Sequence, residues 1–140
     1  MPVVVGGNRL FRFAFEADGA ALTLRGFTAD ERSEFDKLWI QQSNRPDPKG
    51  LAKADIAVRN VGRRRAILRD QAAKLLASWE GFVDDAGKPF DLTAAAKEKF
   101  FGDPEMRKYW EPAISAYLWP LGGQAERDPD EEDVSFRPGP

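Results

Sequence analysis

From Leu51 to Ser78 the chain carries no proline, and Val58, Val61, Leu68, Ala72, Leu75 and then Trp79 recur in steps of three and four, with Arg65 as a basic interruption. That spacing predicts one long amphipathic helix that must lay its apolar stripe on other elements. Gly62 sits inside it and weakens it locally by about 1 kcal/mol relative to alanine, so a bend there fits the pattern. The helix is sharply framed. Upstream, "SNRPDPKG" holds Pro46 and Pro48, which lack an amide donor and push the residue before them out of helical geometry. Downstream, "SWEGFVDDAGKPFDLT" reads as a helix stop at Trp79, a tight turn with Gly87 at positive φ, and a new helix start capped by Thr93.

The remaining segments supply what the stripe can pack on. In "RLFRFAFEADGAALTLRGF", Phe11, Phe13 and Phe15 alternate with polar or small residues, as do Leu22 and Leu24. Period two predicts a β-hairpin over residues 1–27, turning at Asp18–Gly19 and packed on the helical body. Thr28 and Glu31 form a capping-box signature for a helix bearing Phe35, Leu38 and Trp39. A short helix from Thr93 to Phe101 follows, then a start signal at Asp103–Pro104 and a run with Met106, Trp110, Ala113, Ile114, Tyr117 and Leu118 on one face. Pro112 inside that run predicts a kink or a split. The fold class is mainly α with a small N-terminal β-hairpin (α+β), the helical bundle occupying residues 28–123. Residues 124–140 are acidic and proline-rich, and disorder is expected there.

The chain has 140 residues, no cysteine and no histidine. Thiolate chemistry, disulfides and the commonest general base are thereby excluded, and no catalytic residue, cofactor or metal site is expected. Asp84, Asp85 and Asp91 lack the spacing of a calcium loop, and a glycine turn accounts for them. No phosphate-binding motif is present, and no apolar run is long enough for a membrane span. The start "MPVVVGG" is no secretory signal, so a cytoplasmic protein is expected.

A net charge of −2 conceals an uneven distribution. Residues 45–74 hold nine Lys/Arg against three acids, and residues 124–140 hold six acids against two arginines. Arg59, Arg63, Arg64 and Arg69 form the candidate basic docking face. Three consecutive arginines spread around a helix rather than along it, and no aromatic residues interleave with them. A protein partner is therefore favoured over nucleic acid, and no membrane partner is expected.

The order "LLASWEGF", "VDDAGKP", "FDLTAAAKEKFF", "PEMRKYWEPAISAYL" resembles the tail assembly chaperones of long-tailed bacteriophages. The matching positions are Trp79, Glu80, Gly81, Asp84, Gly87, Pro89, Phe90, Thr93, Ala116 and Tyr117, within roughly residues 65–120. Ala77–Ser78 stand where the family often has an aliphatic run, and the acidic tail matches no family signature. The resemblance implies a non-enzymatic factor of the infected cell's cytoplasm, absent from the finished virion. It would bind the tape measure protein, keep it soluble, and in a frameshifted longer form recruit tail tube protein; self-association is compatible with it. Tape measure segments are amphipathic helices, so the candidate partner-binding residues are apolar: Phe35, Trp39, Leu75, Trp79, Phe82, Phe101, Trp110 and Tyr117, most of them expected to be core. Two alternatives stand beside this reading, a structural tail or head–tail connector subunit and a nucleic-acid-binding regulator using the basic helix 59–74.

Overall fold

The computed structural model describes residues 9–120 and the backbone of 133–136. Strands β1 (Leu10–Phe15) and β2 (Ala20–Arg25) form the expected antiparallel hairpin, with Phe13 opposite Leu22. A single 3₁₀ turn at Glu16–Asp18 leads into Gly19 at φ 64°, the left-handed conformation glycine adopts at least cost. Four helices follow: α1 (Ala29–Ser43), α2 (Lys53–Leu75), α3 (Ala94–Gly102) and α4 (Arg107–Leu118). The fold is mixed, mainly helical with a small sheet at the N-terminal end. None of these helices is long and apolar enough to cross a membrane.

The caps lie where the sequence placed them. The Thr28 hydroxyl accepts from the Glu31 amide at 3.2 Å, and Glu31 Oε1 accepts from the Thr28 amide at 3.0 Å. Thr93 Oγ1 accepts from the Ala96 amide at 3.0 Å, and Asp103 caps the 3₁₀ turn Pro104–Met106 that leads into α4. α2 runs unbroken through Gly62, and α4 continues through Pro112 without splitting.

Two expectations are corrected. The long helix ends at Leu75, not Ser78, and Leu76–Glu80 form strand β3, antiparallel to the free edge of β2 with Trp79 opposite Leu22. The i, i+4 spacing of Leu75 and Trp79 suits a helix equally well, but pairing with β2 satisfies backbone groups on both strands, a non-local gain that local spacing does not reveal. The second correction concerns the tail. Asp133–Phe136 form β4, parallel to β1, giving the sheet order β3-β2-β1-β4. Val134 and Phe136 alternate with polar residues there, and β1 offers an unpaired backbone edge. The remainder of 124–140, and residues 1–8, lie outside the described residues.

One face of the sheet is buried against α4 and the C-terminal half of α2 through Phe13, Leu22, Leu24, Leu75 and Ile114, all almost fully inaccessible. Polar contacts tie the layers together. Tyr109 of α4 donates to Asp18 Oδ2 at 3.0 Å, and the Tyr117 hydroxyl accepts from the Phe27 amide at 2.8 Å. Arg25 at the end of β2 grips both carboxylate oxygens of Glu31 at 2.7 Å, joining the sheet to α1.

The segment after β3 is a compact looped ribbon. The Phe90 amide donates to Phe82 O at 2.9 Å, Val83 bridges Pro89, and Asp84 Oδ1 accepts from the amides of Ala86 and Lys88. Trp79 lies flat on Phe90, and its indole N–H donates to Phe90 O at 2.6 Å. Gly81, at φ 82°, is pressed against the hairpin turn, so a Cβ there would overlap the Gly19 carbonyl oxygen.

Gly81→Ala combines that overlap with an unfavourable φ and is expected to destabilise the fold by at least about 2 kcal/mol in chemical denaturation. A loss under about 0.5 kcal/mol would contradict this packing. A second prediction concerns pH. The Glu31 carboxyl is held down at about 2 from an ordinary 4.5, chiefly by the Arg25 guanidinium and then by the Thr28 amide. A folded value below the unfolded one contributes stability fully present above about pH 4.5 and lost as pH falls towards 2. Denaturation midpoints should therefore fall across that window, and Glu31→Gln should flatten the fall.

Candidate docking surface

The apolar stripe of α2 outruns the body it packs on. Leu75, Ala72 and Leu68 are buried, but Val61 is 39 % exposed and Val58 71 % exposed on the same stripe. About one turn of apolar surface, Val58 and Val61, is thus left exposed on α2. α1 sets partly buried Trp39 beside Val61 and carries half-exposed Leu38 next to it in sequence. Trp39 stacks on Phe35 at 5.7 Å and meets half-exposed Trp119 at 5.1 Å, which fixes its ring at the groove wall.

Trp39, Val61, Arg64, Arg65, Leu68 and Glu111 line a groove of about 270 Å³. Its floor is apolar and its rim basic. Arg65 Nε donates to Glu111 Oε2 at 3.1 Å, and Arg107 Nε approaches the same oxygen at 3.4 Å. Arg65 also lines a second cleft of about 240 Å³, formed by Gly62, Ala66 and Arg69 of α2 against Gly102, Asp103, Pro104 and Arg107, with Phe101 and Trp110 as its aromatic wall. Trp110 is buried and, among the described residues, its indole N–H has no acceptor; buried Gln71 Oε1 likewise has no donor there. A buried unpaired donor costs about 1–3 kcal/mol.

The candidates read from sequence separate into groups. Phe35, Leu75 and Trp110 are buried in the core, and the other five are partly buried against it. Trp79 and Phe82 pack with Phe100 in an aromatic cluster at the ribbon, and Tyr117 is committed to Phe27. Trp39 lies in the α1–α2 groove and Phe101 in the second cleft. Of the basic set, Arg59, Arg64 and Arg69 are exposed, whereas Arg63 is half-buried and donates to Asn60 Oδ1 at 2.7 Å. Val58, Leu38 and Trp119, apolar and exposed, were not singled out as binding candidates, nor were the exposed Val83, Ile40 and Leu10. Stripe positions read as core, and the point where the body ends is not encoded in the stripe itself. The Asp84 carboxylate is taken up by its own turn, and no acidic cluster able to hold a metal ion occurs among the described residues.

If the stripe is uncovered in solution, Leu68→Ala should cost about 2–4 kcal/mol and Val58→Ala less than about 0.5 kcal/mol in denaturation experiments. Comparable losses at both positions would show that something covers Val58. Comparisons of the chain with protein families, with curated proteins and with solved structures gave no match.

Proposed function

We propose that this protein is a non-enzymatic assembly chaperone that docks amphipathic helices of a long partner in the α1–α2 groove, in the manner expected of phage tail assembly chaperones acting on a tape measure protein. The observation that carries the reading is the uncovered half of the α2 stripe, with Val58 and Val61 exposed beside Trp39 and rimmed by Arg64 and Arg65. A soluble chain that displays apolar side chains in a row, next to fixed charges, has the chemistry of helix-in-groove recognition. Each such contact is modest. Many copies along one long helical ligand gain by avidity, and a tape measure presents such repeated sites. The reading places the protein in the cytoplasm of the infected cell and outside the finished particle.

Co-expression with tape measure segments tests the proposal. The segments should move from the insoluble to the soluble fraction with the native protein and should not do so with Val58→Asp/Val61→Asp, whose changes fall on exposed positions. Melting temperatures of the variant and the native protein within about 3 °C would show that the fold is intact. Equal solubility of the segments with and without the protein would refute the reading.

A further inference from the structure

We propose that the cleft between α2 and the α3–α4 junction is a carboxylate subsite, which receives an acidic side chain of the helix docked in the adjoining groove. The assignment rests on the partner-binding reading above and names the chemistry the partner must carry. Three guanidinium groups, from Arg65, Arg69 and Arg107, line this cleft. Glu111 engages Arg65 and Arg107 through their Nε atoms, so their terminal Nη groups are not taken up by that contact. Arg69 is exposed and makes no ion pair among the described residues. The site therefore presents planar, unspent donors of the kind that bind a carboxylate in a fork.

The charge balance selects the ligand. Three arginines against Asp103 and Glu111 leave one positive charge, which one carboxylate neutralises and a dianionic phosphate overshoots. The walls contributed by Phe101, Pro104 and Ala66 suit the methylene stem of a glutamate. Trp110, whose buried indole N–H lacks an acceptor, stands in the same wall.

Gly62 is an independent sign. It sits inside an unbroken helix at a cost in stability, yet a Cβ there would meet nothing within 4 Å. Packing within the chain does not require the glycine. What its missing side chain leaves open is this cleft, of which it forms part of the α2 wall. Because Arg65 borders both the cleft and the apolar groove, a helix seated on Val61 and Trp39 passes beside the arginines. The partner motif that fits is an apolar anchor with a glutamate three or four residues away on the adjoining face.

The experiment uses the full chain and two synthetic amphipathic peptides of about 20 residues, identical except for Glu or Gln at the position beside the apolar anchors, titrated by calorimetry at low salt. The Glu peptide is expected to bind about tenfold more tightly. Arg69→Gln should remove most of that difference while leaving the Gln peptide's affinity unchanged. Gly62→Leu should weaken the Glu peptide about tenfold while melting no lower than the native protein, an effect that a purely structural role for the glycine would not produce. Equal affinities for the two peptides would overturn the subsite and leave the groove standing. Binding of neither peptide would overturn the groove and the subsite together. Displacement of the Glu peptide by inorganic phosphate more effectively than by acetate, at matched ionic strength, would overturn the carboxylate assignment.

Discussion

The junction between Leu75 and Leu76 governs the arrangement of the rest. There α2 passes directly into β3 without a loop, the backbone of Leu76 already at an extended ψ of 114°. Both leucines are buried, one as the last helical contact and the other as the first strand contact with Leu24. Lys97 Nζ reaches across from α3 to the Ala73 carbonyl at 2.9 Å and so satisfies one of the acceptors a helix end leaves unpaired. With β3 locked into the sheet, the direction of α2 is fixed at its C-terminal end. Its N-terminal half carries the exposed Val58 and Val61.

That constraint separates what was legible in the sequence from what was not. The hairpin, its Gly19 turn, the capping box at Thr28 and Glu31, and the caps at Thr93 and Asp103 are decided by residues a few positions apart, and each appears where its local chemistry points. β3 was hidden because "LASWE" carries no glycine or proline to mark a boundary, and because Trp79 continues a helical period from Leu75. Its conformation is chosen by β2, more than fifty residues earlier in the chain. β4 was hidden by the acidic composition around it, since only the alternation of Val134 and Phe136 distinguishes it. For the site, the basic face was visible but the groove was not. A stripe states which residues seek burial and is silent on which of them find it.

The glycines illustrate the same division at single-residue scale. Gly81 follows a tryptophan and a glutamate in a motif that sequence alone presents as a helix stop, whereas the structure gives it a steric reason: no side chain fits between it and the Gly19 carbonyl. Gly62 presents the opposite case, a residue with open space around it in the middle of a helix. One glycine is explained wholly by the chain's own packing. The other is not, and it borders a cleft rich in arginine.

The two halves of α2 also differ in what holds them. From Leu68 onward, helical hydrogen bonds are backed by the buried Leu68, Gln71, Ala72 and Leu75, whereas no residue from Lys53 to Val61 is buried. Isolated helical turns are marginal in water, so the N-terminal half depends on its continuity with the buried half. A ligand that covers Val58 and Val61 therefore adds burial where the chain has least, and binding and stability of this arm rise together by mass action. The Arg65–Glu111 bridge sits where the two halves meet, partly exposed at both ends. Breaking a pair so placed costs less than breaking a buried one would.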